Sequence, residues 1–247
     1  MSAPADITVT RTSIAFEDAR IDTYIARPTQ PPRATVVMLG AIWSVTPHIE
    51  DLCRQLAQSG YGAIAPCLFR GVDIPARDAP PDVLARTFLQ FDDPRCIRDL
   101  RAVVRSAARG ELGFAPGSLV PWGFCLGGRF AHHLGAFSEQ VAGVINFYGR
   151  LRFARQPVKP FLPIEVTGLI EVPYLGQFAE FDELIPLADV EELRAALQSR
   201  NVPHRIDVYR GARHSFFDPT RPADHHPEAA AKAWAASLEF LEQVSAR

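Results

Sequence analysis

Polar and apolar residues alternate through Ile7-Thr8-Val9-Thr10 and again through Ile21-Asp22-Thr23-Tyr24-Ile25. A period of two marks a strand with one face buried. With the turn-like Glu17-Asp18-Ala19 between them, the two segments predict an antiparallel hairpin at a sheet edge. Pro28 to Pro32 ends it. Ala34 to Leu39 is instead continuously apolar and rich in β-branched residues, as a strand buried on both faces requires. From Pro47 to Ser59 the period changes: Ile49, Leu52, Cys53 and Leu56 recur at helical spacing, and Gly60 follows as a C-cap. Tyr61 to Ala65 reads as a short strand closed by Pro66. Strand, helix, strand at this spacing predicts a parallel pair with a right-handed crossover.

The alternation continues. Arg70 to Pro81 is a proline-bearing loop, and Asp82 to Leu89 and Pro94 to Ala108 read as helices, the second amphipathic through Ile97, Leu100, Val103 and Val104. Ser118 to Trp122 is a strand, Arg129 to Ala136 a helix, Val141 to Tyr148 a strand, and Arg150 to Pro163 irregular. Pro173 to Phe178 is a strand, Leu187 to Arg200 a helix with Val190, Leu193 and Leu197 on one face, and Arg205 to Tyr209 the last strand. Pro227 to Val244 is a terminal alanine-rich helix. No repeat, low-complexity tract or linker interrupts the pattern. It predicts one α/β domain over residues 1–247, with a mostly parallel doubly wound sheet and helices on both faces.

Composition narrows the function classes. Hydrophobic residues make up 47% and charged residues 22% of the 247, which suits one sizeable buried core. A formal net charge of -2 offers no basic footprint for nucleic acid. No cationic segment followed by an apolar run opens the chain, and no stretch approaches the roughly 18 apolar residues of a membrane span. A cytoplasmic protein, monomeric or homodimeric, is the expectation. Cys53, Cys67, Cys96 and Cys125 form no Cys-x-x-Cys pair, and His225-His226 has no carboxylate or cysteine at ligand spacing, so no metal site is expected.

The chemistry concentrates at Gly123-Phe124-Cys125-Leu126-Gly127-Gly128. A strand, a glycine, a nucleophile-capable residue and more glycines before a helix form the nucleophile elbow, Gly-x-Ser-x-Gly, with cysteine in place of serine. Reactive groups in open α/β sheets collect at the carboxyl ends of strands. His214 follows the last strand and is a candidate base, able to generate a thiolate and later protonate a leaving group. Carboxylates that could orient it cluster after an earlier strand: Glu180, Asp182, Glu183 and Asp189. Nucleophile, acid, histidine is the chain order of α/β-hydrolase triads. An oxyanion hole is expected from the backbone N–H groups of Leu126 and of Ile42, in the loop opened by Gly40. Trp43, Phe88 and Phe216 are candidate pocket residues. His132, His133 and His204 are expected to be structural or solvated.

Five ordered pieces extend this constellation: Val36-Val37-Met38-Leu39, Ser59-Gly60-Tyr61-Gly62-Ala63-Ile64-Ala65-Pro66, the elbow itself, Phe181-Asp182-Glu183-Leu184-Ile185-Pro186, and Tyr209-Arg210-Gly211-Ala212-Arg213-His214-Ser215-Phe216. Together they resemble the dienelactone hydrolase (carboxymethylenebutenolidase) family, cysteine enzymes of the α/β-hydrolase fold. The resemblance implies Cys125 as nucleophile, Asp182 as acid and His214 as base. It implies an ester or lactone hydrolase without a cofactor, working through an acyl-thioester on a small-molecule substrate. Two positions depart from the family. Ala41 stands where the family carries a glutamate that helps to activate the thiol, and Asp218 stands near the place of an arginine that holds a substrate carboxylate. The departures imply weak activity on anionic dienelactones relative to neutral esters. Two other readings fit the same residues: a hydrolase open to other electrophiles such as phosphotriesters, and a degenerate, non-catalytic binding protein.

Overall fold

The alternating N-terminal segments pair as a hairpin: β1 (Ile7–Phe16) runs antiparallel to β2 (Ala19–Pro28). The computed structural model describes residues 5–17, 19–70, 73–117 and 119–246. Asp18 of the expected turn, Gly71 and Val72 of the proline-bearing loop, and Ser118 at the expected start of a strand lie outside the described residues.

The remaining strands are β3 (Thr35–Leu39), β4 (Gly62–Pro66), β5 (Leu119–Phe124), β6 (Val144–Phe147), β7 (Tyr174–Phe181) and β8 (His204–Arg213). They join the hairpin in one sheet, ordered β1-β2-β4-β3-β5-β6-β7-β8. Strand β2 meets β4 antiparallel; all pairs from β4 to β8 are parallel. Strands β3 to β6 are buried along their whole length, which explains their unbroken apolar runs. The helices are α1 (Pro47–Gln58), α2 (Pro81–Gln90), α3 (Asp93–Ala108), α4 (Leu126–Phe137), a short α5 (Pro163–Val166), α6 (Leu187–Ser199) and α7 (Pro227–Ser245). Their apolar stripes close over both faces of the sheet, the α/β-hydrolase arrangement. Among the described residues no helix is long and apolar enough to cross a membrane.

Element boundaries differ from the expectation where pairing, not pattern, decides them. Strand β6 begins at Val144 because Val141 makes only an isolated bridge to Leu119, and it ends before Tyr148, whose φ of 39° leaves the extended region. Strands β7 and β8 run on together, Ala179 opposite Tyr209 and Phe181 opposite Arg213, with a register shift between them. Such an irregularity bends a strand and re-aims the residues beyond it. Asp182 is the next residue.

One buried polar cluster anchors the helix behind the elbow. Arg129 on α4 makes a two-pronged ion pair with Asp93 at the start of α3, both contacts at 2.9 Å. Lys159 reaches the same carboxylate at 3.2 Å and also donates to the Phe91 carbonyl. The Arg129, Asp93 and Lys159 side chains are at most 1% exposed. A buried cation is tolerated only with its counter-charge in place. Asp93 therefore holds α3, α4 and the 150–163 segment in one arrangement.

Candidate active site

The chain enters the site through backbone strain. Cys125, between β5 and α4, has φ 53° and ψ -110°, a conformation L-residues with a Cβ adopt rarely. The surroundings over-determine it. A Cβ on Gly123 would fall on the Gly127 carbonyl, and one on Gly127 would fall on the Leu39 and Gly40 carbonyls. The turn therefore closes only with glycine at both positions, and the end of β3 packs directly on the first turn of α4. The Cys125 N–H donates to the Phe147 carbonyl at 2.9 Å, and the Cys125 carbonyl accepts from the Arg129 N–H at 3.1 Å, which starts the helix.

Packing β3 on the elbow also brings the 40–44 loop to the thiol. That loop turns tightly, with the Ser44 N–H donating to the Ala41 carbonyl at 2.8 Å. Ile42 sits in this turn and Leu126 at the helix start, the two positions expected to supply oxyanion donors.

Asp182 and His214, far apart in the chain, are joined by a 2.7 Å contact between Asp182 Oδ2 and His214 Nδ1. The Asp182 side chain is 1% exposed and that of His214 19%. Asp182 Oδ1 accepts from the Leu184 N–H at 2.9 Å, which fixes the carboxylate plane. The rival carboxylates stand elsewhere. Glu180 accepts from the Gly211 N–H, Asp189 pairs with Arg152, and Glu183 is exposed. The second imidazole nitrogen, Nε2, has no hydrogen-bond partner among the described residues, and His214 interacts electrostatically with Cys125.

Electrostatics follow from this geometry. Burial alone would push the Cys125 thiol up, but the neighbouring His214 and the Leu126 N–H outweigh it and hold the thiol below its ordinary value. Burial also opposes a charged His214, yet the Cys125 thiolate and the Asp182 carboxylate raise the imidazole to about 10. Both shifts favour a thiolate–imidazolium pair, which is lost as pH rises through about 10. Iodoacetamide labelling of Cys125 should accordingly fall less from pH 8 to pH 6 than labelling of an ordinary thiol does. An ordinary thiol of pKa ~8.5 would lose roughly seventyfold in thiolate over that interval. A seventyfold fall in labelling rate would show that the pair does not form.

A small cavity of about 20 Å³, room for one water, is lined by Phe124 and Ser215, the chain neighbours of Cys125 and His214, and not by Cys125, His214 or Asp182 themselves. Its walls include Ala41, Trp43, Arg77, Tyr148, Ser215 and Asp218. Of the expected pocket residues, only Trp43 is a wall. Phe216 is fully buried, stacked on Phe147, edge-on to Tyr148 and tilted against Tyr209, so it belongs to the core. Phe88 packs edge-on against Phe153 and over the Arg129 guanidinium. His132 and His133 are buried, the former contacting the Tyr174 hydroxyl at 2.9 Å, and His226 caps α7 through the Ala229 N–H.

Tyr148 was not expected at the site. Its ring meets that of His214 edge-on at 5.1 Å, held by a loop that Asn146 braces through the Gly149 N–H at 2.8 Å. Its position after a parallel strand was the available signal, since functional groups gather at those carboxyl ends.

Comparison with known proteins agrees with this geometry. Residues 21–245 match the sequence model of the dienelactone hydrolase family. A protein of Escherichia coli strain K12, provisionally named a carboxymethylenebutenolidase, is 32% identical over 239 residues, covering 96% of this chain and 87% of that protein. The crystal structure of a provisionally assigned dienelactone hydrolase from Klebsiella pneumoniae superposes with a TM-score of 0.89 at 32% identity, over 96% of this chain and 99% of the other. A dienelactone-hydrolase-like promiscuous phosphotriesterase from metagenomic libraries shares the fold, with a TM-score of 0.75 at 17% identity over 98% of this chain and 99% of its own. A strained cysteine elbow, an Asp–His pair beside it and a match over nearly the whole chain lead to one conclusion: the chain belongs to the dienelactone hydrolase family and is a hydrolase of the α/β-hydrolase fold.

Proposed function

We propose that the protein hydrolyses small carboxylic esters or lactones with Cys125 as nucleophile, His214 as acid and base, and Asp182 as the group that orients His214. The observation that carries this reading is the Asp182–His214 contact of 2.7 Å, beside a cysteine held at a strained elbow between strand and helix. The Cys125 thiolate attacks the carbonyl carbon, and the carbonyl oxygen becomes an oxyanion that accepts from the Leu126 and Ile42 N–H groups. The C–O bond to the leaving alkoxide breaks and His214 gives it the proton, leaving a neutral imidazole and an acyl-thioester. His214 then takes a proton from water as the hydroxide adds to the thioester. Collapse releases the acid and restores the thiolate–imidazolium pair. Asp182 holds the imidazole in place and stabilises the imidazolium. The cycle draws on side chains and backbone N–H groups of this chain and needs no added cofactor.

The acyl-thioester is directly observable. Acid quenching during turnover of p-nitrophenyl acetate should leave one acetyl group on the peptide containing Cys125, read by mass spectrometry. Turnover with the acetyl group found on another residue would overturn the nucleophile assignment.

A further inference from the structure

Behind the elbow, a chain of buried polar side chains crosses from the end of α5 to the end of β6. His132 Nδ1, on α4, lies 2.9 Å from the Tyr174 hydroxyl, and the Asn146 amide nitrogen lies 2.8 Å from the same hydroxyl. On the far side of the ring, His132 Nε2 is 3.3 Å from the Thr167 hydroxyl, which donates to the Pro163 carbonyl at 3.1 Å. Asn146 Oδ1 accepts from the Gly149 N–H at 2.8 Å. Thr167, His132, Tyr174 and Asn146 are all fully buried.

Each proton in this chain has one place to go. A backbone N–H only donates, so Gly149 fixes Asn146 Oδ1 on its own side and turns the NH₂ toward Tyr174. Burial keeps the Tyr174 phenol neutral. It accepts from Asn146 and therefore gives its own proton to His132 Nδ1. Burial also lowers His132 to about 4, so near neutral pH its ring carries a single proton. With Nδ1 accepting, that proton sits on Nε2 and points at Thr167.

The chain ends on the scaffold of the reacting groups. A Cβ on Gly128 would fall 2.5 Å from Asn146 Oδ1 and one on Gly149 2.4 Å from it, so this oxygen is wedged between the first turn of α4 and the turn after β6. Within that turn Tyr148 has φ 39°, a strained value for an aromatic residue, and its ring is 5.1 Å from that of His214. The neighbouring Phe147 carbonyl accepts from the Cys125 N–H. Strain of this kind persists only where the surroundings over-determine it, and the Asn146–Gly149 hydrogen bond spans the strained residue.

We propose that His132, Tyr174 and Asn146 are positioning residues of the hydrolytic site: their one-way chain holds the Asn146 amide in the orientation that closes the 146–149 turn, and that turn seats Tyr148 against His214. This deepens the reading of Cys125 and His214 as the reacting pair and rests on it. None of the three touches a reacting atom; they act through the turn.

The tautomer is read directly by proton–nitrogen NMR correlation on protein with isotope-labelled histidine, His132 being assigned from its loss in His132→Leu. The ring proton should be on Nε2; a proton on Nδ1 would refute the chain. Tyr174→Phe removes one hydroxyl, and kcat on p-nitrophenyl acetate should fall on the order of ten- to hundredfold, the scale of a small misplacement of catalytic groups, with KM within about twofold. The His214 Cε1–H resonance, which feels the Tyr148 ring, should move in Tyr174→Phe. It should stay in His133→Gln, a change to a buried histidine of the same helix outside the chain. His132→Leu should match Tyr174→Phe, whereas His132→Asn, whose Oδ1 can accept the Tyr174 proton, should recover most of kcat. A kcat within about twofold of the parent and an unmoved His214 resonance in Tyr174→Phe would overturn the proposal. If Tyr174→Phe does not fold, the tautomer and the two His132 variants decide. A parent that hydrolyses no ester would defeat the hydrolase reading, while the NMR measurements would still decide the role of the chain.

Discussion

Cys125→Ala should lose ester turnover by on the order of 10⁴-fold or more, the scale seen when the nucleophile of a triad is removed. The expectation comes from the site's division of labour. The elbow holds the sulfur at a backbone conformation with φ 53°, where the glycine contacts around it keep the turn closed whatever the side chain. Alanine keeps the Cβ and removes only the reacting atom, so the fold should survive. What remains is an oxyanion site and a base without a nucleophile, which accelerates water attack only weakly. Initial rates on p-nitrophenyl acetate, with circular dichroism to confirm folding, make the comparison. Equal turnover in variant and parent would sink the assignment of Cys125 as nucleophile.

Asp182→Asn should lower kcat by about 10²- to 10⁴-fold, while Glu183→Gln should change it little. Asp182 is buried against His214, whereas Glu183 is solvent-exposed. An amide at 182 carries no charge and can turn its NH₂ toward Nδ1, which favours the wrong tautomer. The imidazole would then lose one of the influences that raise it to about 10, and the thiol would lose part of the positive charge that lowers it. The loss should therefore be greatest at mildly acid pH and shrink as the solution itself deprotonates the thiol. A pH–rate profile of both variants checks the point; a larger loss in Glu183→Gln would move the role to residue 183.

Much of the site was legible before the fold was seen, because its constraints are local. A nucleophile elbow needs small residues at fixed offsets, so Gly123, Gly127 and Gly128 mark it in a stretch of six. The choice among Glu180, Asp182, Glu183 and Asp189 was different in kind. All four lie at or just beyond the end of β7, close enough to be the acid, and only the register shift before Asp182 and the Leu184 N–H determine which carboxylate turns inward. Phe216 looked like a pocket residue because it follows His214 closely, yet β8 continues to Arg213 and carries Phe216 into the core against Phe147.

Sequence by itself determined the strand and helix order, the elbow and the chain order of the reactive residues. Hydrophobic period and glycine sterics act over a few residues and leave their mark wherever they operate. Tertiary structure alone decided which charges meet. Arg77 and Asp218 are 141 positions apart, and neither has a pattern around it that names the other. They meet because the β4–α2 loop and the segment after β8 converge over the carboxyl ends of the same sheet. An ion pair carries no periodicity, so which of these loop charges meet is written in the packing of loops.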